Sequence, residues 1–295
     1  MGLLPPLFLD AVVAVGEINA EGKKAFFGTG FYYGLRTGDP VPEGQPGKYQ
    51  LFLITNRHVA ERIGDTALIR FNSLDRESWV EFPIATRAPT GWPVFVAHPD
   101  PEVDVAATTL STAMLEKNGL HPAFFQNDGQ AATLLEMKDV LGVSDGDGIY
   151  VLGFPLGLVG DTRNTVIVRG GVVARLRDTY SSNSKTFLVD ANVFPGNSGG
   201  PVILRPEGLA IPGTKHQLSS VLIGIVYGYV PYAENAYSLN PLQPRITFIE
   251  NSGLGWVHTV DAINETIAYL KDKQDEWGGR KPVVAVAPED PPSTK

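Results

Sequence analysis

Residues 190–202 read DANVFPGNSGGPV. Glycine takes three of the five positions from Gly196 to Gly200, around Asn197 and Ser198, and Pro195 and Pro201 flank the run. Stripping side chains from that length of backbone permits φ > 0 and lets the main chain approach another group closely. Alone, such a stretch could be an ordinary hairpin turn. A serine shown among bare amides is also placed to do chemistry, so the rest of the chain has to decide between the two.

Working outward, short apolar runs separated by turn formers recur on both sides. AVVAVGEI (11–18), KAFFGTGFYYG (24–34), YQLFLITN (49–56), TALIRF (66–71) and WVEFPIA (79–85) read as strands, with turn clusters such as RTGDPVPEGQPGK (36–48) between them. After a less regular stretch the pattern resumes with GIYVLGFP (148–155), TVIVRGGVVARL (165–176), TFLVDANV (186–193), GGPVIL (199–204) and VLIGIVYGYV (221–230). LLEMKDVLG, inside the 111–145 crossover, reads as a short helix or turn. Val260, Ile263, Ile267 and Leu270 share one helical stripe, with Thr259 or Asp261 as N-cap and Lys271 and Lys273 near the C-terminus. The aromatics of FFGTGFYYG read as barrel core and rim.

The 295 residues, 43% hydrophobic and 19% charged, suffice for one large or two smaller β units, and no apolar run reaches a membrane span. With 32 glycines and 23 prolines, the chain has the turn formers of many short strands. A formal charge of −8 leaves no electrostatic footprint for nucleic acid. Zero cysteines exclude disulfides, thiolate metal sites and a cysteine nucleophile. The start, MGLLPPLFLDAVVAVGE, has no basic n-region and is broken by Pro5, Pro6 and Asp10, so it reads as a first strand. Cytoplasm is the expected location, with periplasm or secretion if a signal peptide has been removed.

Three segments combine: LFLITNRHVAE with His58 after an apolar strand, HPDPEVDVAATTL with Asp104 entering another, and FPGNSGGPV with Ser198. Asp104 is preferred to Asp100 and Glu102 because an apolar run follows it, whereas Asp100 stands between prolines. This set resembles the trypsin-like serine peptidases, and more closely their disulfide-free HtrA-type branch, in the forms TNxHV, DxAxL and GNSGGP and in the order His, Asp, Ser. GTGF (28–31), GFPLG (153–157), VRGGVVARL and VDANVFPGNSGGPVI match further family stretches, so the likeness runs from about Ala11 to Leu270.

The resemblance implies an all-β fold of two packed six-stranded antiparallel β-barrels with a C-terminal α-helix. Residues 8–120 would form the first barrel, 121–275 the second with its closing helix, and 276–295 a Pro-rich tail. It implies a serine endopeptidase working on polypeptide through an acyl-enzyme without a cofactor. His58 would take the proton of Ser198, Asp104 would fix the imidazole, and the N–H groups of Gly196 and Ser198 would form the oxyanion hole. Asn192 would floor the primary pocket between walls from Tyr227 and Gly228 and from Trp256, favouring small or medium uncharged residues. Asn197 stands where digestive relatives carry an aspartate that pairs with a newly cut N-terminus, so activation by clipping is not implied. No metal site is expected, and His98, His121, His216 and His258 read as surface or satisfied structural groups. Two alternatives stay open: a catalytically silent module that binds peptides in its cleft, and an enzyme switched on by a regulatory partner or by homo-oligomer formation.

Overall fold

In the computed structural model the side chains along the strands alternate between two cores, and that alternation builds the molecule. The structure describes residues 4–19, 21–38, 47–73, 78–88, 91–111, 115, 123–182, 184–208, 213–237 and 244–277. His121 and nearly all of the expected 276–295 tail lie outside them.

The first unit holds β1 (Val12–Ile18), β2 (Lys24–Thr37), β3 (Lys48–Thr55), β4 (Thr66–Asn72), β5 (Trp79–Ala85), β6 (Val96–Ala97), β7 (Ala106–Thr109) and β8 (Phe125–Gln126). They pair in the order β5-β4-β1-β2-β3-β7-β6, with β8 beside β2. Six of these carry the sheet, and β6 and β8 are two-residue additions. The second unit is a closed six-stranded barrel, β10-β11-β14-β13-β12-β9. Its strands are β9 (Gly148–Gly153), β10 (Ile167–Arg175), β11 (Thr186–Asp190), β12 (Pro201–Leu204), β13 (Val221–Tyr237) and β14 (Pro244–Thr259). The helix Val260–Glu276 follows directly. The fold is therefore mostly β, two β units and a C-terminal helix, as expected.

Side chains of a strand point alternately to opposite faces. Val13 and Val15, Tyr32, and Leu51 and Leu53 face the interior of the first unit. Their neighbours Val12 and Ala14, Phe31 and Tyr33, and Phe52 and Ile54 face outward into a second core. The barrel does the same: Ile149, Val151, Val202 and Leu204 fill its interior, while Leu152, Ile203 and Leu222 point into that second core. Val260, Ile263, Ile267 and Leu270 of the helix complete it. This shared seam explains why β1, β3 and β12 read as near-continuous apolar runs, since both faces are covered. Each side chain buried there contributes about 1.5–3 kcal/mol.

One local reading is corrected, two are refined, and one strand had no reading. Pro6–Asp10 is a helical turn rather than strand, with Pro6 in the first turn and Phe8 packed 4.7 Å from Phe125 between ring centres. Thr259 holds the N-cap position without a capping hydrogen bond, and Asp261 instead accepts the Leu134 N–H at 2.7 Å. LLEMKDVLG carries a π-helical turn, Glu136–Leu141. Strand β14 was hidden by Pro244, its polar residues and Gly253, yet it pairs with β13 along most of its length. No helix among the described residues is long and apolar enough to cross a membrane.

Candidate active site

Strand β3 ends at Thr55, and the short helix Arg57–Arg62 begins two residues later, which lifts His58 to the rim of the first unit. Asp104 lies on the loop entering β7. Its carboxylate takes two bonds from His58, the backbone N–H at 2.9 Å on Oδ1 and Nδ1 at 2.5 Å on Oδ2. The imidazole is half exposed and the carboxylate about one-fifth exposed. Burial raises the Asp104 pKa, but the hydrogen bonds and charge of His58 outweigh it and hold the acid below the ordinary aspartate value.

The backbone of Asp104 is held as firmly as its side chain. Asn56 Nδ2 donates to its carbonyl at 2.6 Å, and its N–H donates to His258 Nε2 at 2.9 Å. Arg57 gathers the preceding loop by donating from one nitrogen to the carbonyls of His98, Asp100 and Val103 at 2.5, 2.8 and 3.3 Å. Asp100 and Glu102 have no described bond to His58; Asp100 Oδ1 accepts the Glu102 N–H.

Ser198 follows a tight turn over Phe194–Asn197, closed by the Asn197 N–H to the Phe194 carbonyl at 2.9 Å. Pro195 and Gly196, with φ 98° at Gly196, suit a type II turn. A Cβ on Gly196 would come within 2.4 Å of the Phe154 carbonyl, so only glycine fits. The Pro195 carbonyl accepts the Leu156 N–H at 2.7 Å. In a trans peptide the Gly196 N–H points the opposite way. Among the described residues neither that N–H nor that of Ser198 is spent on a hydrogen bond. Asn197 turns back to accept the Phe194 N–H on its own side chain at 3.1 Å. Leu156, which anchors the turn, is the one non-glycine with positive φ among the described residues, and its side chain is exposed.

Buried Thr29 on β2 ties this turn to the first unit. Its N–H donates to the Ser198 carbonyl at 2.8 Å. Its hydroxyl donates to the Gly196 carbonyl at 2.6 Å and accepts the Phe154 N–H at 3.0 Å. Its carbonyl accepts the Thr55 hydroxyl at 2.7 Å, three residues before His58. A Cβ on Gly199 would lie 2.0 Å from that carbonyl. The described hydrogen bonds do not include one between His58 and Ser198 Oγ; such contacts tighten when substrate binds.

Of the expected pocket residues, Gly228 pairs with Trp256 across β13 and β14, beside a bulge that holds Tyr227. Asn192 is exposed on the loop after β11, its Oδ1 3.8 Å from where a Cβ on Gly253 would sit. Tyr227 lays its ring on His258, 4.0 Å between centres and 16° from parallel. His258 is fully buried on β14, and His98 nearly so, bonded to Glu265 at 3.1 Å. Sequence reasoning passed over Thr29, Asn56, Arg57 and Leu156, although all four stand inside the quoted motifs, and it read His258 only as a surface or satisfied structural group. Among the described residues no cluster of three or more His, Cys, Asp or Glu could hold a metal ion.

This fold and site define a trypsin-like peptidase. A model of the trypsin-like peptidase domain matches residues 28–211, and the chain belongs to that family. Among solved structures it is similar to Rv3671c from M. tuberculosis H37Rv, described as a serine-to-alanine mutant in an inactive form, at 18% identity and TM-score 0.44 over 91% of this chain and 90% of that one. A second structure, described as the Rv3671c protease in an inactive form, is similar at 17% identity and TM-score 0.42, over 90% of each chain. No curated protein matches the chain significantly.

Two outcomes follow from these contacts. Replacing Thr29 by Val keeps the shape but strands the Gly196 carbonyl and the Phe154 N–H, so urea unfolding should show a loss of about 2–4 kcal/mol. Thr29→Ser, which removes only a buried methyl, should lose about 1 kcal/mol. Burial pushes the His258 imidazole from the ordinary 6.5 down to about 4, against the raising pull of Asp104. The unfolded chain therefore takes up this proton first as pH falls, and stability that is complete above pH 6.5 is lost by about 3 kcal/mol on reaching pH 4. Unfolding measured across that window in a Ser198→Ala background should show the loss, and Ser198→Ala/His258→Gln should show a correspondingly smaller one.

Proposed function

We propose that the protein is a serine endopeptidase that hydrolyses polypeptide through an acyl-enzyme. The observation that carries this is the Pro195–Gly196 turn, which leaves the amides of Gly196 and Ser198 unspent beside the nucleophile. Ser198 Oγ attacks the scissile carbonyl carbon as its proton passes to His58 Nε2. The oxygen of the tetrahedral intermediate takes up the two amides, each worth roughly 10²–10³ in rate. His58 then protonates the leaving amine, and water repeats the sequence on the acyl group. Asp104, ionised and bonded to Nδ1, keeps the imidazole in the tautomer that presents a free Nε2. An oxyanion turn already in this conformation favours a competent enzyme over one waiting for a partner. Asn197, spent on its own loop, is consistent with activity that needs no cut N-terminus.

A fluorophosphonate probe should label the wild-type protein, with the adduct mapped to Ser198. Ser198→Ala should lose labelling and retain only the roughly 10³–10⁴ over water that binding and the oxyanion site supply. Ester or casein turnover by that variant near the wild-type rate would end the peptidase reading.

Specificity follows from the neutral Asn192 at the pocket floor, between Gly228 and Trp256. With no charge on Asn192, a Lys or Arg side chain would gain no ion pair from that residue. Cleavage should fall after small or medium uncharged residues such as Val, Ala, Leu or Thr. A peptide-library digest read by mass spectrometry checks this, and a majority of cuts after charged residues would place the pocket elsewhere.

A further inference from the structure

His258 stands on β14, one residue before the N-cap of the closing helix. It is fully buried. Its Nε2 accepts the Asp104 N–H at 2.9 Å, so its own proton belongs on Nδ1. Nδ1 makes no hydrogen bond of full geometry: the Lys185 carbonyl, the backbone acceptor on that side, is shared with the Thr259 N–H. A buried donor so weakly paired is a cost that a hydrocarbon side chain would avoid. What the imidazole adds in return is the acceptor at Nε2.

The ring is held in plane to use it. Tyr227 stacks on one face at 4.0 Å, and the backbone of residue 258 is fixed between Thr186 of β11 and Ile225 of β13. The charged groups around it, Asp104, Asp100 and His98, come from the first unit, and the titratable phenol of Tyr227 comes from its own barrel. The contact therefore crosses the seam, from the last strand of the barrel to the loop that carries the triad carboxylate.

We infer that His258 is a positioning residue for the triad, a neutral acceptor that fixes the main chain of Asp104 and through it the angle at which the carboxylate meets His58. The inference rests on the peptidase reading for its consequence in rate, but its geometry can be tested separately. Gln reproduces an acceptor near the Nε2 position, whereas Asn reaches only the Nδ1 position and Phe supplies none.

The test compares the wild type with H258Q, H258N and H258F, each checked for folding by circular dichroism and melting. Saturation kinetics of fluorophosphonate labelling give the chemical step and the binding step apart. A misplaced triad should slow the chemical step in H258N and H258F, on the order of 10–100-fold, with binding unchanged. H258Q should restore most of it. In parallel, the downfield proton NMR signal of the His58 Nδ1–Asp104 bond, recorded in a Ser198→Ala background, should persist in H258Q and be lost or shifted in the other two. If H258F fails to fold, H258N decides. Folded H258N or H258F with the wild-type chemical rate and an unmoved signal would overturn the inference. If the wild type does not label at Ser198, the peptidase reading fails, and the NMR signal alone decides whether His258 positions Asp104.

Discussion

The site depends on one buried hydroxyl. Thr29 sits in the middle of β2 with no access to water, and its N–H, its carbonyl and both roles of its hydroxyl are engaged. Three of those bonds reach the second unit: the turn before Ser198, Ser198 itself and the segment after β9. The fourth reaches the end of β3, which launches the His58 helix. A buried polar group with every bond made is specific in a way that apolar contacts are not, since a shift of the units by an ångström would break several bonds at once. Ser198 belongs to the barrel in sequence and to the first unit in its hydrogen bonding.

The seam supplies the free energy that holds this register. Apolar packing of Phe31, Phe52 and Ile54 against Leu152, Phe154 and Ile225 is strong but tolerant of sliding. Polar ties across it remove that tolerance. Tyr33 donates to Asn264, Gln274 to Thr109, and Glu265 receives both His98 and Lys185. Asp104 and His258 add a tie that ends on the residue bonded to His58.

The parts of the fold legible in the sequence were those with local signals. Strand alternation, the helical stripe from Val260 to Leu270 and the glycine-flanked serine each announce themselves within a dozen residues. His58, Asp104 and Ser198 stood out because the chemistry restricts which residue types can do it. What stayed hidden depends on contacts between residues far apart in the chain. Nothing near Thr29 in sequence says that its hydroxyl meets residues 154 and 196. His258, between Val257 and Thr259, looks like any polar residue near a helix start until the barrel closes and Asp104 arrives 154 positions away. Pro6 misled for the opposite reason: it breaks strand, but in the first turn of a helix its missing N–H costs nothing.

The closing helix also has a consequence in time. It runs from the base of β14 to Trp277, whose ring stacks on Trp92 of the first unit at 4.8 Å. Units generally fold in the order in which they are synthesised. A nascent chain that has exposed residues 58, 104 and 198 still lacks the strand that braces the aspartate and the strap that clamps the two halves. The contacts that brace Asp104 and join the two halves are therefore complete only after β14 and the helix have been made.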